Sequence, residues 1–285
     1  MTWVILGANG QLGQELIKLL KAKNIEVIGT DQNEIDFVKT NEISEKLAKL
    51  NPSHIVNCGA YTQVDKAEEE PELANIINAQ AVGVIAKFAF GKQIPFVHIS
   101  TDYVFDGSST TPYLEEDKIN PQSVYGSSKA MGEKEATENN PSAYILRTAW
   151  VYGEYGNNFP KVIAKKLKNK ESLNVVNDQV GSPTWTFDLA SAIVEVLEKK
   201  PKAGIYNVTN AESCSWFEFA QEISESLGVD INLVKPTDSK SFVRPAVRPK
   251  YSVLSNKKWK EAGLTPLRSW KEAWAKAAQS VLSNI

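Results

Sequence analysis

A glycine-rich turn at the very start of the chain constrains the fold more than any other feature. Trp3–Leu6 is a short apolar run, and Gly7-Ala8-Asn9-Gly10-Gln11-Leu12-Gly13 follows it directly. A helical pattern then runs from Gln11 to Lys21, with Leu12, Leu16, Leu19 and Leu20 on one side. Each glycine has a reason in a strand–turn–helix unit. Gly7 allows the tight turn, Gly10 lets the main chain come close to a pyrophosphate, and Gly13 lets the helix pack closely on the sheet. The free N–H groups and the positive end of the helix, at Gly10, Gln11 and Leu12, then favour phosphates. About 20 residues on, Asp31 ends the next strand candidate, Glu26–Thr30. A carboxylate there accepts hydrogen bonds from an adenosine ribose and repels a 2′-phosphate, which leans toward NADH over NADPH. Asp36 and Phe37, five and six residues further, are placed to reach the adenine.

The rest of the first half keeps the same rhythm. Helix candidates at Ile43–Leu50 and Glu72–Phe90 alternate with strand candidates at His54–Asn57 and Pro95–Ser100. Ser127–Thr137 then reads as helix and Ala143–Arg147 as strand. Alternation of this kind predicts βαβ units, hence an α/β fold with a doubly wound parallel sheet of the Rossmann type. After Trp150 the pattern loosens, with Gly, Asn, Pro and Trp clustered at 152–160 and 177–185 and an irregular Ser239–Tyr251 segment. Final helices are expected at Phe217–Leu227 and Trp270–Val281. We therefore expect a dinucleotide-binding domain over 1–150, with part of 185–215 returning to it. Residues 151–285 should form mainly a smaller C-terminal substrate-binding lobe.

The bulk numbers narrow the function classes. The chain has 285 residues, 42% of them hydrophobic, and its 32 Lys+Arg and 34 Asp+Glu are interspersed, for a formal net charge of −2. Nothing in that balance suggests a nucleic-acid or anionic-membrane surface. No signal peptide and no apolar stretch near the roughly 20 residues of a membrane span is read from the sequence, so a cytoplasmic protein is expected. Cys58 and Cys214 lie far apart and read as reduced thiols. His54 and His98 sit inside apolar strand patterns without ligand-spaced partners, and read as structural; no metal site is assigned.

The chemistry is carried by Tyr125-Gly126-Ser127-Ser128-Lys129. A phenol and an ammonium four residues apart share one face of a helix. A free tyrosine titrates near 10 and is a poor proton carrier at neutral pH; a neighbouring Lys⁺ favours the phenolate and brings the group toward usefulness as a general acid. Upstream, Ser100-Thr101-Asp102-Tyr103-Val104-Phe105 leaves the C-terminal end of a parallel strand, where a doubly wound sheet presents its chemistry. Thr101 can there hydrogen-bond the tyrosine hydroxyl or a substrate carbonyl. Trp150, Trp185 and Arg248 are available to stack on a base and to meet phosphates.

These segments together carry a family resemblance. The three-residue spacing of Gly7, Gly10 and Gly13 is that of extended short-chain dehydrogenase/reductases. With Val56–Thr62, Val64–Glu68, Ser100–Phe105, Tyr125–Lys129, Arg147–Tyr152 and Asn177–Thr184, nearly the whole chain resembles the dTDP-4-dehydrorhamnose reductase family. The resemblance implies NADPH or NADH as cofactor, contacted by Gly10, Gln11, Leu12, Asp31, Asp36, Phe37, Ala60, Tyr61 and Thr62. It implies that Tyr125 donates a proton, that Lys129 holds the nicotinamide ribose and tunes Tyr125, and that Thr101 adjusts that acidity. Thr101, Asp102 and Trp150 would face a dTDP-sugar. Some members form homodimers with Mg²⁺ held by glutamates; Glu15 matches such a position, the remaining ligands find no match, and Mg²⁺ stays unassigned. Cys58-Gly59 stands where the family commonly has small alanines. The competing expectations are a related nucleotide-sugar epimerase or dehydratase with tightly held NAD⁺, and a non-catalytic subunit similar to the regulatory subunit of methionine adenosyltransferase.

Overall fold

In β1 (Trp3–Leu6) successive side chains take opposite faces of the sheet, and both faces are apolar. Trp3 and Ile5 enter one core with Leu12, Leu16, Leu20, Leu189, Ile193 and Leu197; Val4 and Leu6 enter another with Ile43, Leu47, Val82, Ile85 and Ala89. A strand that is apolar on both sides must be covered twice, which is the condition for a parallel sheet between helix layers. The computed structural model, which describes residues 1–283 and 285, has that architecture.

The chain runs β1, α1 (Gln11–Ala22), β2 (Val27–Thr30), α2 (Thr40–Leu50), β3 (His54–Asn57), α3 (Val64–Ala67), α4 (Pro71–Asn75), α5 (Ala81–Gly91) and β4 (Phe96–Thr101). It continues through α6 (Val124–Asn139), β5 (Tyr144–Thr148), β6 (Val151–Tyr152), α7 (Phe159–Lys168), β7 (Leu173–Val176), β8 (Val180–Gly181), β9 (Thr184–Trp185), α8 (Thr186–Lys199) and β10 (Gly204–Asn207). The last elements are β11 (Cys214–Ser215), α9 (Trp216–Leu227), β12 (Val234–Thr237), α10 (Lys257–Glu261) and α11 (Trp270–Leu282). Six parallel strands form the main sheet in the order β10-β5-β4-β3-β1-β2. The strand order reverses direction between β1 and β3, and a doubly wound sheet opens its ligand crevice at such a point.

Helices α1 and α8 cover one face and α2, α5 and α6 the other. Residues 186–207 supply both α8 and β10, so the chain leaves the sheet after β5 and comes back to finish it. Between and beyond lies a second core of α7, α9 and α11 with the β7–β12 pair, built on Tyr152, Ile163, Leu167, Phe219, Ile223, Trp270 and Trp274. Burying side chains of this size contributes about 1.5–3 kcal/mol each.

Two sequence expectations need correcting. Glu72–Phe90 was expected as one helix, but residues Ile76–Gln80 between α4 and α5 form a π-helical turn. The cause lies across the interface: Gly132 of α6 sits so close that a Cβ there would lie 2.0 Å from the Asn78 carbonyl oxygen, and the bulge turns the Asn78 side chain into the protein. The run Pro71–Gly91 is also, at 21 residues, long and apolar enough to cross a membrane, against the expectation of no such stretch. Here its apolar residues Ala81, Val82, Ile85, Ala86 and Ala89 are buried in the core against α2 and α6.

Helix α6 buries only small apolar side chains, Ala130 and Ala136, alongside Gly126, Ser128, Lys129, Gly132 and Glu133. A buried ion pair also holds it. Arg147 on β5 donates to Glu133 from Nε at 2.8 Å and Nη2 at 2.7 Å, and Ser100 on β4 donates to the same carboxylate at 2.6 Å. A bidentate pair of this geometry fixes orientation as well as distance.

A strap crosses the other side of the crevice. The Asp65 carboxylate accepts from Arg244 at 2.7 and 3.0 Å, from Arg248 through both guanidinium nitrogens, and from the Ala246 N–H at 3.2 Å. These hydrogen bonds hold its carboxyl well below the usual range, so the clamp keeps its full strength above about pH 4, the ordinary aspartate value, and is lost as pH falls below it. Replacing Asp65 by Asn should cost on the order of 1 kcal/mol globally. It should also speed amide exchange in residues 239–250 selectively. Unchanged exchange in that segment would mean the strap is held by something else.

Candidate active site

The crevice between β1 and β3 is formed by two backbone turns in contact. Gly7 has φ +73°, and a Cβ there would lie 2.6 Å from the Gly59 Cα. Gly7 is therefore obligatory for both conformation and space, while a Cβ on Gly59 would meet the Phe37 ring at 2.9 Å. A Cβ on Gly13 would lie 2.4 Å from the Gly7 carbonyl oxygen, so α1 packs directly against the turn. Gly10, by contrast, has an ordinary φ of −73° as N-cap residue. Helix α1 has no side-chain cap and no acidic residue in its first turn. Its first N–H groups and its positive end are free for an anion.

A cavity of about 200 Å³ opens beside this turn, lined by Gly7, Asn9, Gly10, Asp31, Gln32, Ile35, Asp36, Phe37, Gly59, Ala60 and Ile77. Six residues singled out from sequence, Gly7, Gly10, Asp31, Asp36, Phe37 and Ala60, meet here. Asp31 accepts from the Asn33 N–H at 2.7 Å and from the Asn9 side chain, and is held below its ordinary value first by the backbone bond. The donors and the space fit a dinucleotide. The others stand around it. Leu12 joins the core, Gln11 accepts a hydrogen bond from Asn158 at 2.9 Å, and Thr62 is exposed. The Tyr61 phenol turns away from the cavity to donate to Glu70 at 2.6 Å. Its backbone is pinned by Asn78, which accepts from the Tyr61 N–H at 2.8 Å, donates to its carbonyl at 3.1 Å, and reaches Ser128 on α6 at 2.9 Å. Sequence reasoning missed Asn78, because a polar residue in an apolar helix pattern carries no sign of the π turn that aims it inward.

Tyr125 and Lys129 lie one turn apart at the start of α6, which is capped by Ser123 accepting from the Gly126 N–H. Tyr103 meets the Tyr125 ring edge-on at 5.4 Å. Burial pushes the Tyr125 phenol up to about 12, with the Thr101 hydroxyl acting in the opposite direction and Asp102 adding to the rise. The sequence leads one to expect a phenol acidified by Lys129. Here the lysine amine instead donates to the Ile99 carbonyl at 2.6 Å and lies 3.3 Å from His98 Nε2, and desolvation of the phenol dominates. Thr101 has a single hydroxyl proton, given to Asp102 Oδ1 at 3.0 Å. It can turn to a phenolate if one forms.

Asp102 is 2% exposed and its carboxyl is pushed up to about 6 by burial, against hydrogen bonds from Ser252 and Thr101. Its Oδ2 is buried with no partner among the described residues. Thr101 pairs with Thr148 at the ends of β4 and β5, and Trp150 follows two residues on with φ +49°, a strained conformation for a bulky residue. Its indole stacks on Trp216 at 3.4 Å with planes 6° apart, over Gly181, where a Cβ would lie 2.4 Å from the ring. Trp185 goes elsewhere, against Phe187 at 4.9 Å, beside a second cavity that also touches Glu15 and Lys18. Glu15 is buried, and burial raises its carboxyl. Among the described residues no three His, Cys, Asp or Glu gather as a metal site.

Comparison with known proteins follows this geometry. Residues 1–283 match the family model described as RmlD substrate binding domain. A dTDP-4-dehydrorhamnose reductase of Streptomyces griseus is 40% identical over 276 residues, covering 95% of this chain and 91% of its own. The structure of a dTDP-4-dehydrorhamnose reductase from Clostridium acetobutylicum superposes with a TM-score of 0.93 at 43% identity, over 97% of this chain and 98% of that one. One from Bacillus anthracis, in complex with NADP, gives 0.93 at 36% identity with the same coverage. The chain belongs to the RmlD family, that of the dTDP-4-dehydrorhamnose reductases.

Proposed function

We propose that this protein reduces the C4 ketone of dTDP-4-dehydro-L-rhamnose to the alcohol, with NADPH or NADH as reductant. The observation that carries the reading is the convergence of Tyr125, Thr101 and Asp102 at the C-terminal end of β4, in the same fold whose uncapped α1 turn and adjoining cavity fit a dinucleotide. The name and bound NADP of the Bacillus anthracis relative support the cofactor class. The bound dinucleotide supplies a hydride to the carbonyl carbon.

Each residue then has a task that its surroundings support. Tyr125 is fully protonated at neutral pH and can give its proton to the developing alkoxide. The phenolate left behind sits in the first turn of α6, where the positive helix end favours it, and Thr101 can turn its hydroxyl to it. Lys129 adds a positive charge once it is drawn toward the nicotinamide ribose. Asp102, with one oxygen unpartnered, is suited to accept a sugar hydroxyl, and the Trp150–Trp216 stack offers the sugar a flat wall. Gly7, Gly10, Gln11, Leu12 and Gly13 take the pyrophosphate; Asp31, Asp36, Phe37, Ala60, Tyr61 and Thr62 surround the adenosine half, Tyr61 through its main chain. Residues 151–285 act mainly as the substrate lobe, and the setting is cytoplasmic.

The direct experiment mixes purified protein, the 4-keto sugar nucleotide and each reduced cofactor, and follows nicotinamide absorbance. Oxidation should depend on the sugar; none with either cofactor ends the reading. Tyr125→Phe should lower kcat by at least about 10²-fold while cofactor binding persists. Asp102 gives a second check. Its carboxyl is raised, so its burial is tolerated well below about pH 4 and penalised as pH rises through about 6. Asp102→Asn should therefore stabilise the fold by on the order of 1–3 kcal/mol at pH 8, with a gain that shrinks as pH falls, while weakening sugar binding. A variant that is less stable at pH 8 would show that the carboxylate is satisfied.

A further inference from the structure

Among the described residues, His98 is a buried ionisable side chain beside this site that the mechanism above leaves without a task. It is fully buried in the middle of β4, paired across the sheet with Asn57 and Ile145. Its hydrogen bonds decide its proton. Asn57 Oδ1 is already used by the Gly59 N–H at 3.0 Å, so the atom 3.2 Å from His98 Nδ1 is the Asn57 amide nitrogen, which can only donate. Nδ1 is therefore the bare nitrogen, and the ring proton sits on Nε2. That Nε2–H points at the Lys129 Nζ, 3.3 Å away. An ammonium has three N–H bonds and no lone pair, and would face this proton with another. A neutral amine resolves the conflict, donating one N–H to the Ile99 carbonyl at 2.6 Å and accepting the His98 proton with its lone pair.

We propose that His98 is a positioning residue for Lys129, holding it drawn back against β4 in the free protein and favouring its neutral amine, and that cofactor binding releases it as a charged ammonium, the neutral fraction taking up a proton from solvent. No other bond changes. The surroundings agree. Lys129 is 2% exposed, and burial pushes its amine down to about 8. The titratable groups that face it are Glu133 from α6, Cys58 from the end of β3 and His98 from β4. Glu133 is already engaged with Arg147, burial pushes the Cys58 thiol up to about 12, and burial with Lys129 keeps the His98 ring well below its ordinary value. None supplies a free negative charge. The consequence is that above about pH 8 the charge able to acidify Tyr125 arrives together with the cofactor. This inference rests on the cofactor site proposed above.

The chain has two histidines, so the tautomer of His98 can be read directly from long-range ¹⁵N–¹H correlation spectra of the unaltered free protein. The Nε2–H form is expected; an Nδ1–H form or a charged ring overturns the proposal. Calorimetry near pH 8, in buffers of different ionisation enthalpy, then measures protons taken up on binding NADH or NADPH, whose 2′-phosphate is already ionised there. About half a proton per site is expected, from an amine that titrates near 8. His98→Asn, which offers Lys129 an acceptor, should bring that uptake to near zero. Binding without proton uptake, or uptake unchanged in His98→Asn, overturns this inference and leaves the reductase reading intact. Binding of neither dinucleotide overturns the cofactor reading, and this one with it. Should His98→Asn not fold, the tautomer and the uptake of the unaltered protein decide.

Discussion

The contact between two bare backbone turns, Gly7 after β1 and Gly59 after β3, is the constraint on which the rest depends. A side chain on Gly7 would push the two strand ends apart, and the crevice between them is what the uncapped start of α1 faces. Everything chemical then lies along the same edge of the sheet, in strand order. The dinucleotide turn follows β1, Cys58 and Gly59 follow β3, Thr101 ends β4, and Trp150 follows β5. The order of strands in space converts a scattered set of residues into one row.

That row is unusual in how many ionisable groups it removes from water. Asp102, Tyr125, Lys129 and His98 are each shifted by burial toward the uncharged form. Such groups are tolerated because the fold around them is rigid for other reasons. The Arg147–Glu133 pair fixes α6 on β4 and β5, and Asn78 fixes the Tyr61 backbone against the same helix. In a site with little water, a single added charge has a large effect on its neighbours. At neutral pH Tyr125 and His98 are uncharged, while Asp102, raised to about 6, and Lys129, lowered to about 8, keep most of their charge.

The alternating first half was legible because both faces of β1 are apolar and because Gly7, Gly10 and Gly13 sit between a strand and a helix. Tyr125 and Lys129 were legible because four-residue spacing means one helix face whatever the surroundings. What escaped was set by contacts between segments far apart in sequence. Helix α7 opens among Asn158, Phe159 and Pro160, and a short helix after a Gly- and Asn-containing stretch, with a proline in its first turn, reads locally as loop. The π turn exists because Gly132, more than 50 residues away, leaves room for the Asn78 carbonyl. The Trp150–Trp216 stack needs the absent side chain of Gly181. His98 looked like a core residue, and it is one; that it abuts Lys129 follows from the pairing of β4 beneath α6 and not from any motif.

The late return of α8 and β10 to the sheet has a consequence for how the protein is made. When β5 has left the ribosome, the face that carries Trp3, Ile5 and Leu146 has α1 but still lacks α8, and β5 is an open edge. Roughly 60 more residues must be translated before that layer closes, which at 5–20 residues per second takes about 3–12 s. During that interval the nascent chain carries a half-covered apolar sheet, and it is then, rather than after release, that the protein most needs a chaperone.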